Sequence, residues 1–194
     1  MRQRPVGPHA LLVEVADAGE ALALASWART AVEAVEVVPA ACTVLLDGVA
    51  DLTRAADAVR GWQPTAERPR GRLVEVPTIY DGPDLVRVAE HWGVDVDEVV
   101  RRHTDAELVS SFCGFAPGFA YLDGLGWSVP RLDSPRPRVA PGSVALAGSW
   151  CGIYPTASPG GWQLIGRTDL VLWDPTRPDP ALLAPGTRVR FVAR

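Results

Sequence analysis

The chain has 194 residues, 47% of them hydrophobic, and a formal net charge of −4. That length buries a core for one large domain or two small ones, and the mildly acidic balance argues against a general nucleic-acid binder. No apolar run approaches the ~20 residues of a membrane span, and the N-terminus lacks the apolar stretch of a signal peptide.

All 19 basic residues are arginine, and asparagine is absent too. The absence of lysine excludes a P-loop lysine, a lysine Schiff base and a lysine general base. Cys42, Cys113 and Cys151 are odd in number and far apart. They form neither a disulfide framework nor a zinc spacing. They are expected to be buried thiols of a reduced, cytoplasmic protein.

In chain order, ALLVEVAD (10–17) predicts a strand and GEALALASWARTAVEA (19–34) a helix, apolar on most faces. VEVVPAACTVLLDG (35–48) predicts one or two strands, with Pro39 marking an edge or bulge. DLTRAADAVRGW (51–62) places Leu52, Ala55, Ala56 and Val59 on one helical face behind an Asp51 cap. QPTAERPRGR (63–72) is polar, holds two prolines and predicts a linker before the strand LVEVPTIY (73–80).

GPDLVRVAEHWGVDVDEVVRRHT (82–104) predicts two short helices. Pro83 suits the first helical position, Gly93 ends the first helix, and Asp95 caps the second with Glu98 three residues on. Val96, Val99, Val100 and His103 share a face of the second helix. A helix-turn-helix that reads DNA would not begin its second helix with Asp95, Asp97 and Glu98. From Leu108 on, ELVSSFCGF, SVALAG, DLVLWD and TRVRFVA alternate with Gly/Pro turns, the rhythm of a barrel or sandwich.

Propensity does not account for residues 114–168. They contain GFAPGFAYL (114–122), PRLDSPRPRV (130–139), GSVALAG (142–148), GIYP (152–155) and SPGGWQLIGRT (158–168). In these motifs, and in their order, the chain resembles the family of the 5-oxoprolinase B subunit. That family is also known as allophanate hydrolase subunit 1, and includes the kinase inhibitor KipI and part of the carboxyltransferase domain of urea carboxylase. Weaker similarity runs back through VEVPTIYDGPDL and EVVRRHT to ALLVEV, and on to PGTRVRF. The family pattern departs here at VAPGS (139–143), at Leu108 and at Thr187.

The resemblance implies an α+β chain: a small α/β N-terminal domain (1–68), then a cyclophilin-like β-barrel domain (69–194). It implies a component that is inactive alone and joins a C-subunit homologue (KipA-like) and an A subunit. Together they open 5-oxoproline to glutamate at the expense of ATP. This chain itself holds no cofactor and no metal in that scheme. The alternative is a KipI-like regulator that docks on a sensor histidine kinase. The likeness to cyclophilins is one of fold, which does not carry prolyl isomerisation.

The candidate site follows from the same motifs. Arg131, Arg136 and Arg138 lie in a proline-stiffened loop and read either as solvated charge or as an anion site. In SPGGWQLIGRT, Gly160 and Gly161 allow a sharp turn or a close approach, Trp162 offers a rigid amphipathic surface, Gln163 a donor and an acceptor, and Arg167 an anion-binding fork. Phe115, Phe119 and Tyr121 alternate and line one barrel face, with Pro117 and Gly118 marking a bulged rim; Tyr154 joins them as pocket or interface. His103 reads as a packed helix-end histidine or, through the family, as a catalytic one. No GxSxG elbow supports a serine hydrolase built on Ser143 or Ser158.

Overall fold

A computed structural model describes residues 1–64 and 71–194. The chain divides into two compact units, Met1–Arg70 and Gly71–Arg194. Residues 65–70 of the expected linker, and with them the expected boundary at 68/69, lie outside the described residues.

In the first unit, strands β1 (Arg2–Pro5), β2 (Ala10–Glu14), β3 (Glu36–Pro39) and β4 (Thr43–Asp47) form an antiparallel sheet in the order β1-β2-β4-β3. Helices α1 (Ala18–Ala31) and α2 (Leu52–Gly61) pack on it around Leu11, Val13, Leu24, Val44, Leu46 and Val59. Both helices start at an aspartate: Asp17 accepts the Glu20 amide and Asp51 the Arg54 amide. Strand β1 was not expected. RQRP has no apolar alternation, yet it pairs with Leu11–Glu14 and gives that strand's free backbone groups their partners. Cys42 is exposed and Cys113 partly buried, so only Cys151 meets the expectation of a buried thiol. Cys42 sits in the turn between β3 and β4, where the chain has no core to enter.

The second unit is built on a seven-stranded sheet. Its strands are β5 (Leu73–Thr78), β6 (Leu108–Cys113), β7 (Ala120–Asp123), β9 (Ser143–Ala147), β10 (Trp150–Ile153), β12 (Gln163–Arg167) and β13 (Arg188–Ala193). Their order is β12-β9-β10-β7-β6-β13-β5, with β5 and β13 parallel. The two edge strands are joined by the chain that follows β5. Ile79 and Arg167 exchange backbone hydrogen bonds at 2.9 and 2.8 Å, Gly82 donates to Ile165 and Asp84 donates to Leu164. This seam nearly closes the sheet into a barrel. It also explains two glycines, because a Cβ on Gly82 would strike the Leu164 carbonyl and one on Gly166 the Ile79 carbonyl. The architecture is therefore α+β.

Helices α3 (Leu85–Trp92) and α4 (Val96–Asp105) fill one side of the larger core with Leu85, Val88, Ala89 and Val99. Gly93 ends α3 in the left-handed region at φ 66°, and Asp95 accepts the Glu98 amide at the start of α4. Glu98 does not complete a capping box; its carboxylate holds Arg101 and Arg102. Pro83 lies before the cap residue Asp84 rather than at the first helical position. DLVLWD is no strand beyond one isolated bridge, Trp173 to Ala181, because Pro175, Pro178 and Pro180 follow it closely. Conversely, the proline-rich segment forms β8 (Arg136–Val139), which pairs with β11 (Ser158–Gly160) in a separate two-stranded ribbon.

Candidate functional site

The strands of the barrel sheet alternate between two clusters. Leu122, Val144, Leu146, Cys151 and Ile153 face the larger core, while Phe119, Tyr121, Ala145, Ala147 and Trp150 belong to a second cluster on the opposite face. The β8–β11 ribbon contributes Val139 to that second cluster. An aromatic cavity of about 550 Å³ opens there. Phe115, Phe119, Tyr121, Trp150, Tyr154 and Trp162 supply its aromatic walls, and Arg131 faces it as a cation.

Phe119 is the hub. It meets Phe115, Tyr121, Tyr154 and Trp162 edge to face, at ring-centre distances of 5.4, 5.1, 5.4 and 5.3 Å. Room for the hub comes from Gly152, where a Cβ would sit 2.9 Å from the Phe119 ring and 3.1 Å from Trp162. Gly160 lies directly against the Tyr154 hydroxyl, so any side chain there would displace the tyrosine. Burial raises the Tyr154 pKa, opposed by a hydrogen bond from the Trp162 backbone and by the charges of Arg131 and Arg136. The phenol is therefore neutral, a donor and acceptor in an aromatic cavity.

Phe115 carries a mark of its own. It adopts φ 70°, the one non-glycine among the described residues with positive φ, and is 62% exposed. A bulky residue in that region stores backbone strain of roughly 1–3 kcal/mol. It does so at the mouth of the cavity.

Of the expected site residues, the cavity gathers Phe115, Phe119, Tyr121, Arg131, Tyr154, Gly160 and Trp162. The others stand elsewhere. Pro117 is exposed, and Gly118, at φ 84°, packs against Leu172 and Trp173. The irregularity in strand pairing falls at Ser110–Phe112 rather than at this pair. Gly161 lies near Pro135 and Arg131. Arg136 binds Asp84 at 2.8 Å, and Arg167 binds Asp81 at 2.8 Å. Arg138 is exposed on β8. Gln163 is buried and donates from Nε2 to the Pro130 carbonyl, with Oε1 unpartnered among the described residues. The expected three-arginine anion site therefore reduces to Arg131 at the cavity.

His103 lies in the larger core and is 0% exposed. Its Nδ1 is 2.7 Å from the Tyr80 hydroxyl, its Nε2 is 3.3 Å from Cys151 Sγ, and its ring packs on Phe191 at 4.2 Å. Burial lowers its pKa to about 3 and raises those of Tyr80 and Cys151, so the trio is neutral. The histidine does not line the cavity.

Trp150 and Asp84 were missed by sequence reasoning. Trp150 stands outside the recognised motifs, in the short link between GSVALAG and GIYP, although its alternation with Cys151 was a usable signal. Among the described residues no cluster of His, Cys, Asp or Glu could hold a metal ion.

A model of the carboxyltransferase domain, subdomain C and D, matches residues 1–183. The chain belongs to the carboxyltransferase subdomain C and D family. Within this family it is 47% identical over 148 residues to the 5-oxoprolinase B subunit of Escherichia coli O157:H7, covering 71% of this chain and 68% of that protein. It is 46% identical over 126 residues to the 5-oxoprolinase B subunit of Bacillus subtilis (strain 168), covering 62% and 52%. The crystal structure of TTHA0988 superposes with a TM-score of 0.82 at 33% identity, covering 96% of this chain and 40% of that one. The larger part of TTHA0988 thus lies outside the match. Among the described residues no helix is long and apolar enough to cross a membrane.

Proposed function

We propose that the chain is the B component of an ATP-dependent 5-oxoprolinase-like complex and that the aromatic cavity is its share of the active site. The observation that supports this most is the cavity itself. Six aromatic side chains and one arginine surround a space suited to a small organic anion. Arg131 offers a fork to a carboxylate, the aromatic walls pack on the methylene face of a small lactam ring, and the Tyr154 hydroxyl serves its carbonyl or amide.

Among the described residues the cavity lining holds no Ser, Thr, Cys, His, Asp or Glu side chain, so the chain contributes binding and orientation rather than a complete reaction. ATP and the bond-breaking groups come with its partners, a C-subunit homologue and the A subunit, in the cytoplasm. The exposed Phe115 at the cavity is of the aromatic kind enriched at interfaces.

The test is co-expression with the C-subunit homologue of the same genome, followed by size-exclusion chromatography. Co-elution is expected, and so is 5-oxoproline-dependent glutamate release once ATP is supplied together with the A subunit. Separate elution at micromolar concentration would instead favour a KipI-like regulator of a sensor kinase.

A further inference from the structure

We propose that Asp84 is a positioning residue for the aromatic cavity, holding the β8–β11 ribbon and the Trp162 wall to the barrel seam. The proposal rests on the cavity being the functional site. Asp84 occupies the cap position of α3, where an aspartate ordinarily accepts the helix's free amides; here its side chain makes no such bond. The carboxylate is turned elsewhere. Oδ2 accepts the Leu164 amide at 2.7 Å, and Oδ1 accepts Arg136 Nη2 at 2.8 Å. The side chain is 5% exposed, so this is a buried charge with both oxygens engaged.

Its two partners lead to the cavity. Leu164 is the second residue of β12, and Trp162 immediately precedes that strand. Arg136 opens β8, reaches from Nη1 toward the Trp162 carbonyl at 3.5 Å, and sits opposite Gly160 of β11. Pro159, Gly160 and Trp162 all line the cavity. One carboxylate thus fixes Trp162 from two directions and fixes the ribbon that carries Pro159 and Gly160.

A buried ion pair is a poor source of net stability, since desolvating both groups offsets their attraction. What it imposes is geometry: a planar guanidinium fork and an amide converge on one carboxylate in a single arrangement. The other ion pair of the same seam, Asp81–Arg167, is about half exposed on both sides and reaches no cavity residue. It serves as the internal control.

The experiment compares full-length Asp84→Asn, Arg136→Gln and Asp81→Asn with wild type. In ¹H–¹⁵N spectra, Asp84→Asn and Arg136→Gln are expected to shift or broaden the Trp162 indole and Gly160 amide signals. Signals of the first unit should stay in place, and Asp81→Asn should leave Trp162 and Gly160 unmoved. Arg136→Gln stands in if Asp84→Asn does not fold. In the assembled complex, both variants are expected to raise KM for 5-oxoproline about tenfold with kcat changed by less than roughly threefold, the pattern of lost ground-state placement. Unmoved Trp162 and Gly160 signals in Asp84→Asn and Arg136→Gln, or an unchanged KM, would overturn the proposal. A wild-type complex with no activity would sink the functional reading instead, and the spectra would still decide the role of Asp84.

Discussion

His103 makes the stability of the second unit depend on acid in a calculable way. Its imidazole is fully buried between Tyr80, Cys151 and Phe191, none of them charged. Burial lowers its pKa to about 3. In the unfolded chain the ring takes up a proton near the ordinary value of ~6.5, and in the folded chain it does not. The stability it supports is therefore complete above pH ~6.5 and is lost as the pH falls toward ~3. At ~1.4 kcal/mol for each pH unit, the loss across that interval is on the order of 5 kcal/mol, a large part of the roughly 5–15 kcal/mol that holds a typical domain. Other groups titrate in the same range, so the comparison is with His103→Gln, which cannot take the proton. At pH 7 the variant should be less stable by about 2–4 kcal/mol, from the two broken hydrogen bonds and the imperfect fit. Urea unfolding of both proteins from pH 7 to 4 should show that gap narrow by roughly 3 kcal/mol. Parallel stability curves for wild type and variant would refute a buried neutral histidine.

The adjacent glycines of the SPGGW turn should behave differently. Gly160→Ala forces a methyl group onto the buried Tyr154 hydroxyl and should cost about 1–3 kcal/mol, whereas Gly161→Ala, whose nearest neighbour would be 3.7 Å away, should melt within a degree or two of wild type. Equal melting temperatures for the two variants would contradict the close approach. Phe115→Gly should melt no lower than wild type, because it releases a left-handed aromatic residue that is mostly exposed, yet it should weaken activity of the assembled complex. A clear loss of melting temperature would show that Phe115 is held for packing instead.

Much of this architecture was written locally. Gly93, Asp95 and the spacing of Leu85, Val88 and Ala89 suffice to place the two helices, and the alternation in SVALA marks a strand with two apolar faces. The family resemblance rested on motifs whose aromatic residues the structure brings to one cavity. What could not be read locally depends on partners far along the chain. RQRP becomes a strand only because Leu11–Glu14 lies beside it. The proline-rich 136–139 segment becomes β8 only because Ser158–Gly160 pairs with it, and its Arg136 is drawn off to Asp84 rather than left for an anion. With Pro83 read as the first helical position, Asp84 passes for an ordinary helix residue, and its distant partners, 52 and 80 residues away, leave no local trace. His103 shows the limit from the other side: its apolar helical face was legible, while its contacts with Tyr80 and Cys151 required the closed core.

The central claim is that this face of the barrel binds the substrate of the complex, and Arg131 tests it most directly. The side chain is exposed, so its removal should leave folding within about 1 kcal/mol of wild type. The measurement is kcat/KM for ATP-dependent glutamate formation from 5-oxoproline by the complex reconstituted with its A- and C-subunit homologues. Arg131→Ala, still co-eluting with its partners and melting as wild type does, is predicted to lower kcat/KM by about a hundredfold, the scale of a lost charge-assisted fork to a carboxylate. An intact complex of the same variant with wild-type kcat/KM would contradict the assignment.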